Sequence, residues 1–260
     1  MTSWLKALPV ALALAVVAVG AALGFGGAER PVAPGTVRVS SAGPQTPSLA
    51  GAWDAESNSP TSYEVADAAG PTVNLYEAPN VPLASKPSMD NPTWEGLPVV
   101  FLVLEDQGDW LHVRVSSRPN NMTAWVSRSE VRLRTVPNRV LIEVGARRVT
   151  VFHGDTILLQ ETVAVGTDRT PTPLGNFFVD GAVKVPYDTG PYGAYQVSVS
   201  GFSDVLQSFG GGVGQIAMHG TNRPDLLGQA VSNGCVRMTN DNITKMVQLA
   251  PLGTPVDVVA

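Results

Sequence analysis

Two short segments hold the residue types of a cysteine acyl-transfer site. Met218–Asn222 contains His219, and Ser232–Met238 contains Cys235, sixteen residues further along. A thiol attacks as its thiolate, and an ordinary thiol pKa of about 8.5 leaves little thiolate at neutral pH. A nearby imidazole takes the proton and later returns it to a leaving amine. The segments therefore indicate a nucleophile, Cys235, and a base, His219. The alternative is a buried cysteine that only packs.

The residues beside the cysteine fit this chemistry. Gly234 lets the backbone turn sharply next to the thiol, so that amides near Cys235 can point at an oxyanion. If Cys235 to Arg237 is extended, positions two apart share a face. Arg237 would then favour the thiolate or bind a substrate carboxylate, which its planar guanidinium suits.

Composition excludes several other classes of protein. The net charge of -5 gives no global basic field for nucleic acid, so we expect no nucleic-acid partner. The chain has one cysteine, which cannot form an intrachain disulfide. No His, Cys and carboxylate cluster has metal-ligand spacing, and no phosphate-cradling motif is present. We therefore predict neither a metal nor a cofactor.

The N-terminal 28 residues predict export, and a linker follows them. Lys6 precedes Ala7–Phe25, nineteen residues without a charge. This is typical of a signal peptide, although the run is also long enough to span a bilayer. We expect residues 1–28 to be a signal peptide or a membrane anchor. The protein would then act in the periplasm or cell wall, held at the membrane if the segment stays uncleaved. Residues 29–62 are rich in Pro, Ser, Ala and Gly, which predicts a disordered linker.

Residues 63–135 predict a small β-domain. In Trp110–Val115 apolar and polar residues alternate, and Thr123–Val126 is a second short strand. The segments Gly108–Val113, Ala124–Val126 and Ser129–Val131 resemble a bacterial SH3-like domain, a small β-barrel. The resemblance implies possible cell-wall binding, and a packing domain without a ligand is the alternative. Eight arginines lie between Arg114 and Arg148. We expect them on solvated strand faces rather than in a patch for anionic wall polymers.

Residues 137–260 predict further strands and one helix. Val149–Phe152 leads into the turn sequence His153–Asp155, and a return strand begins at Ile157. Thr239–Asn242 offers helix caps ahead of Ile243–Leu249. A loop rich in Pro and Gly contains Tyr187, Tyr192 and Tyr195. These rings either form a lid over a substrate cleft or pack as ordinary loop residues.

The chemical motifs resemble the signature of L,D-transpeptidase catalytic domains, also called YkuD domains. The matching residues are His219–Thr221, Gly228 and the Ser-x-Gly-Cys-x-Arg-Met run of Ser232–Met238. Upstream, Val165–Gly166 and Thr170–Phe177 are similar to a second element of that family. The resemblance covers residues 137–260. It implies a mainly β, β-sandwich-like catalytic domain with short helices.

The resemblance also implies a substrate and roles. Cys235 would attack the third residue of a peptidoglycan tetrapeptide stem, release D-Ala, and pass the acyl group to the amine of an acceptor stem as a 3→3 crosslink. His219 would be the base, with the Gly220 carbonyl orienting it and amides around Gly234 forming the oxyanion hole. We expect substrate contacts from five residues: Arg237, Ser232, Asn233, Thr221 and Tyr195.

One departure from the family concerns Asn233, which stands where many members have histidine, so any tuning of the thiolate by a second imidazole is missing. Three other functions stay open. The acyl-enzyme can be hydrolysed by an L,D-carboxypeptidase or passed to a wall-attached protein. The third alternative is a wall-binding protein whose catalytic site has decayed.

Overall fold

The computed structural model describes residues 59–260. The predicted signal peptide or anchor, 1–28, and nearly all of the predicted linker, 29–62, lie outside the described residues. Within 59–260, no helix has the length and apolar character needed to cross a bilayer.

The described chain is mainly β, as predicted, with a single α-helix among residues 59–260. Nine strands precede residue 137: β1 Tyr63–Ala68, β2 Thr72–Asn74, β3 Tyr76–Ala78, β4 Val81–Pro82, β5 Ser88–Asp90, β6 Val100–Asp106, β7 Trp110–Arg114, β8 Thr123–Ser127 and β9 Val131–Val136. The remaining elements are β10 Arg139–Glu143, β11 Arg148–His153, β12 Thr156–Thr162, β13 Val165–Gly166, β14 Gly175–Lys184, β15 Tyr195–Phe202, β16 Gln215–His219, β17 Ala230–Ser232, β18 Val236–Arg237, α1 Asn240–Leu249 and β19 Pro255–Val259.

The first sheet has seven strands in the order β4-β3-β8-β7-β6-β1-β9. In β7, Leu111 and Val113 are fully buried while the intervening side chains are half-buried, so the predicted alternation is confirmed. Ser129 lies in a short 3-10 turn, Arg128–Glu130, rather than in a strand. The resemblance of residues 63–135 to SH3-like domains stays a prediction.

The second sheet has eight strands in the order β12-β11-β10-β19-β14-β15-β16-β18. The turn at His153–Asp155 joins β11 to β12, which pair antiparallel as predicted. Helix α1 begins at Asn240, inside the predicted capping run Thr239–Asn242, because Thr239 is the cap: its Oγ1 accepts from the Asn242 N–H at 3.3 Å. The strand β14 lies in the middle of the sheet, between β19 and β15.

Two adjacent phenylalanines of β14 pack into different cores. Phe177 belongs to the core of the second sheet, whereas Phe178 packs with Val65, Val100, Leu102 and Val136 of the first. Successive side chains of a strand point to opposite faces, so β14 is covered on both sides. Residues 59–260 lie within one compact unit.

The arginines between 114 and 148 differ from the expectation of solvated faces. Arg139 is only 7% exposed, with its guanidinium 4.1 Å from the Phe152 ring centroid. Arg134 pairs with Asp67 and also donates to the Leu252 carbonyl at 2.9 Å. Arg118 donates to three carbonyls beyond residue 200. Arg118 and Arg134 therefore connect the first sheet to the chain beyond residue 200. The sequence could not predict these contacts, because strand alternation does not show which face a neighbouring sheet will cover.

The shared core predicts cooperative unfolding. Phe178→Ala should lower the free energy of unfolding by about 3–5 kcal/mol, since it removes a buried ring between the sheets. All five tryptophans precede residue 137, and the one cysteine follows it. Tryptophan fluorescence and Cys235 reactivity in a urea titration therefore follow the two sheets separately, and both transitions should shift together. Ile157→Ala, at a side chain 53% exposed, is the control and should change little. Two separate transitions in the wild type would contradict the shared core.

Candidate active site

The predicted nucleophile and base are brought together by a parallel strand pair. In the β16–β18 register, His219 lies opposite Arg237 and Met218 opposite Val236. Cys235 comes directly before β18, beside Ala217 of β16, whose backbone forms a hydrogen bond with the thiol. One end of two short strands therefore holds the thiol, the imidazole and the guanidinium.

A tight turn presents the cysteine. The Ser232 hydroxyl accepts from the Gly234 N–H at 3.1 Å and donates to the Cys235 carbonyl at 2.6 Å. Gly234 has φ +114°, and a Cβ there would lie 2.9 Å from Ile216 Cδ1. Only glycine suits this backbone and this space. Ser232 thus shapes the turn through its own hydroxyl.

The upstream motif supports the same turn. The Thr172 hydroxyl donates to the Gly234 carbonyl at 2.9 Å and accepts from the Gly166 N–H at 2.9 Å. The Thr170 hydroxyl donates to the Ser232 carbonyl at 3.1 Å. The two sequence motifs are therefore parts of one site, with the threonines behind the cysteine turn.

The imidazole of His219 has a defined tautomer. Nδ1 lies 2.6 Å from the Gly220 carbonyl oxygen, which can only accept, so Nδ1 carries the proton. The ring is almost fully buried, and burial lowers the pKa of His219 to about 4, with Arg237 lowering it further and the Gly220 hydrogen bond opposing. At neutral pH the imidazole is uncharged, and its Nε2 lone pair can accept a proton.

The thiol is also uncharged at rest. Burial raises the pKa of Cys235 above its ordinary value, and the Ala217 backbone and the Arg237 charge only partly oppose this. A raised thiol pKa and a lowered imidazole pKa both disfavour a thiolate–imidazolium pair. The resting site is therefore a neutral thiol beside a neutral imidazole.

Of the three loop tyrosines, Tyr192 contacts the imidazole. The Tyr192 ring centroid lies 5.1 Å from that of His219, edge to face. Burial raises the pKa of Tyr192, and the neighbouring Cys235 raises it further. Tyr195 instead packs against the core of the second sheet, and its carbonyl accepts from the Gly220 N–H at 3.2 Å. Tyr187 is 74% exposed.

Asn240 fixes this loop to the histidine segment, and sequence reasoning gave it no role beyond helix capping. Its Oδ1 accepts from the N–H groups of Ala194 and Thr221, each at 3.2 Å, and its Nδ2 donates to the Asp188 carbonyl. A Cβ on Gly193 would lie 2.0 Å from this Oδ1, and one on Gly220 would lie 2.2 Å from it. The amide therefore occupies space that two glycines leave open. The only sequence feature that could have indicated this role is the position of Asn240 directly after the capping threonine.

The other predicted site residues differ in whether their hydrogen-bonding groups already have partners. The Nε of Arg237 is buried, and it has no hydrogen-bond partner among residues 59–260, so it is available to an anion. The Thr221 hydroxyl accepts from the Arg223 N–H at 3.0 Å and closes a turn. The Gly234 N–H already donates to Ser232, and no acceptor in the described chain pairs with the N–H of Asn233 or Cys235. An oxyanion would therefore use these two amides.

A small cavity adjoins the thiol. Its volume is about 20 Å³, close to the size of one water molecule. Cys235 and Asn233 form one side, Gln215 and Ile216 another, and the loop between β15 and β16 completes it with Ser203, Leu206, Phe209 and Gly214. No cluster of three potential metal ligands occurs in the part of the chain described, 59–260.

Comparison with known proteins agrees with these motifs. Residues 137–258 match the family model of the L,D-transpeptidase catalytic domain, YkuD. YkuD of Bacillus subtilis (strain 168) is 33% identical over 124 residues, which are 48% of this chain and 67% of that protein. The chain belongs to the YkuD family of L,D-transpeptidase catalytic domains.

Two solved structures of L,D-transpeptidases are also similar. The one from Mycobacterium smegmatis has 16% identity and a TM-score of 0.38 over 62% of this chain and 90% of that one. The Ldtfm-avibactam carbamoyl enzyme has 17% identity and a TM-score of 0.36 over 47% of this chain. The match spans about half the length of that second enzyme, 49%.

The neutral resting site predicts the pH dependence of thiol reactivity. The labelling rate of Cys235 by iodoacetamide should rise about tenfold per pH unit from pH 6 to 8, because the thiolate fraction grows while the thiol stays below its raised pKa. No plateau should appear at acid pH, since His219 is uncharged above about pH 5. His219→Asn, whose amide can still donate to the Gly220 carbonyl, should keep the slope. An acid plateau that disappears in His219→Asn would show that the resting site is an ion pair instead.

Proposed function

We propose that the chain is a cysteine-dependent peptidoglycan L,D-transpeptidase that forms 3→3 crosslinks between stem peptides. The observation that carries the proposal is the 2.6 Å hydrogen bond from His219 Nδ1 to the Gly220 carbonyl, on the strand that pairs with β18 directly after Cys235. It leaves Nε2 as the acceptor for the thiol proton. Family membership supports the reaction class, and these contacts support the proposed roles of Cys235 and His219.

Donor binding would begin at Arg237. Its buried Nε has no partner within the described residues, so a substrate carboxylate would satisfy it. The terminal D-Ala of a tetrapeptide stem carries such a carboxylate. Burial is the main reason for the lowered pKa of His219, and the Arg237 charge lowers the pKa of both His219 and Cys235. A bound carboxylate would therefore raise the pKa of both groups, and its main effect would be to fix the donor beside them.

The first step would form a thioester. As Cys235 Sγ bonds to the carbonyl carbon of the third residue, the thiol proton passes to His219 Nε2. The N–H groups of Cys235 and Asn233 stabilise the negative carbonyl oxygen. The carbon–nitrogen bond to D-Ala then breaks, and Nε2 returns the proton to the departing amine. Protons balance, and His219 ends the step neutral.

The second step would use the amine of an acceptor stem. The amine attacks the thioester, loses a proton to Nε2, and displaces the sulfur, which takes the proton back. Tyr192 and the loop that Asn240 holds would exclude water from the thioester, which favours transfer over hydrolysis. Donor and acceptor stems are therefore the proposed partners. Residues 63–135 are proposed to assist on the intact wall.

The test is intact-protein mass spectrometry with a tetrapeptide muropeptide, with and without excess acceptor. Wild type should gain the mass of the tripeptide acyl group and release a 3→3 dimer. Cys235→Ala should gain no mass, because the chain has no second thiol. His219→Asn should lose about 10² to 10⁴ in rate, the range for a general base. His153→Asn, at an exposed histidine, is the matched control and should behave as wild type.

Each other outcome identifies a different function. Almost exclusive tripeptide at saturating acceptor would replace the proposal with an L,D-carboxypeptidase. An acyl-enzyme that discharges only onto a wall-attached protein would indicate protein attachment. An adduct that persists in Cys235→Ala would mean that another residue is the nucleophile. No adduct in the wild type would favour a decayed catalytic site.

We also propose that the enzyme works outside the cytoplasmic membrane. The support is the uncharged run Ala7–Phe25 behind Lys6. Cell fractionation with mass analysis of the N-terminus should find the protein either tethered at the membrane or shortened near residue 28. The full-length chain in the cytoplasmic fraction would contradict export.

A further inference from the structure

The loop between β15 and β16, residues 203–214, walls the nucleophile on one side. Four of its residues line the cavity beside Cys235: Ser203, Leu206, Phe209 and Gly214. Its tip contains Gly210–Gly212, where Gly210 has φ +58° and Gly211 has φ +88°. Phe209 is 45% exposed beside these glycines. We call residues 203–214 the pocket loop.

The base of the pocket loop is held from the first sheet. Arg118, in the connection between β7 and β8, donates to the carbonyls of Ser203 at 2.8 Å, Leu206 at 3.0 Å and Val213 at 3.1 Å. Its guanidinium also lies 5.2 Å from the centroid of the Phe202 ring. Hydrogen bonds from a charged donor are stronger than neutral ones, and a planar guanidinium can reach several acceptors at once. One side chain therefore ties both ends of the loop together.

A second residue of the same connection adds to this contact. Asn120 Nδ2 donates to the Phe202 carbonyl at 2.7 Å and to Asp204 Oδ1 at 3.1 Å. Its Oδ1 accepts from the Phe202 N–H at 2.8 Å. The asparagine thus pairs with both backbone groups of Phe202, as a neighbouring strand would. The pocket loop leaves β15 in a direction that the first sheet determines.

We propose that Arg118 and Asn120 are positioning residues for the Cys235 pocket, so that residues 63–135 form part of the active site by fixing the base of the pocket loop. Arg118 holds the loop at Leu206 and again at Val213, so the tip between them is left to its own turn, in which Phe209 and Gly212 exchange two backbone hydrogen bonds. The cavity beside the thiol has the volume of about one water molecule, and we infer that the tip moves when a stem peptide binds. Because the two ends of the pocket loop are held, this movement would be a hinge motion of the tip rather than a loosening of the whole loop.

The consequence for catalysis rests on the proposed function. The thiol and the imidazole are held by β16 and β18, which Arg118 does not touch. Loss of Arg118 should therefore raise KM for the donor stem about tenfold and change kcat less than about threefold. The pocket loop would lose its fixed position in this variant, whereas Cys235 and His219 would keep theirs. A purely structural role would lower stability and kcat without this separation.

A test that needs no peptidoglycan compares two thiol reagents on the full chain. The labelling rate of Cys235 by the bulky fluorescein maleimide is divided by that for the small iodoacetamide. Arg118→Ala should raise this ratio about tenfold, and chymotrypsin should cut after Phe209 about tenfold faster. Arg118→Lys should restore part of both effects, since a lysine reaches fewer of the three carbonyls. Arg128→Ala is the matched control, because Arg128 pairs with Asp106 at the surface of the same region.

The outcomes separate this proposal from the proposed function. Equal ratios and equal cleavage in Arg118→Ala and Arg128→Ala would overturn the positioning role, whatever the enzyme does with stem peptides. If Arg118→Ala does not fold, Asn120→Asp carries the test, since it keeps the acceptor for the Phe202 N–H and loses both donated bonds. A folded Asn120→Asp with wild-type ratio and cleavage would also overturn it. A wild type that processes no stem peptide would refute the proposed function only.

Discussion

The parallel pairing of β16 with β18 is the contact on which the site depends. It involves only two residue pairs, Met218 with Val236 and His219 with Arg237. A pair this short gains little from its own hydrogen bonds, so other segments must hold it in register. The N–H of Arg237 donates to the Ala164 carbonyl, and the threonines of the upstream motif hold the cysteine turn. The two motifs are far apart in the sequence, but their residues form a single hydrogen-bonded unit.

Burial gives this site its electrostatic character. A solvent-exposed cysteine and histidine would exchange a proton easily near neutral pH, whereas here burial raises the pKa of the thiol and lowers that of the imidazole. In the proposed mechanism, the thiolate and the imidazolium would therefore form only during the reaction. The buried Nε of Arg237 has no partner within residues 59–260, so it is the group that a substrate carboxylate would pair with.

The middle strand of the second sheet connects the site to the rest of the molecule. Phe177 faces the core beneath the catalytic strands, and Phe178 faces the first sheet. The same contact between sheets brings Arg118 to the pocket loop. A region that the sequence presents as a separate module thus shares a core with the catalytic region and reaches the wall of its pocket. This arrangement explains why arginines expected in solvent are found between the sheets.

The sequence by itself determined the local features. Alternation predicted β7, and the capping threonine predicted the start of α1, because each depends on neighbours within a few positions. The motif residues made Cys235 and His219 the candidate nucleophile and base. Tertiary structure alone decided which tyrosine contacts the imidazole, that Asn240 holds its loop, and that Arg118 holds another. These contacts join residues 46 and 85 positions apart, Ala194 with Asn240 and Arg118 with Ser203. The packing of whole sheets sets such distances, and no local pattern in the chain encodes them.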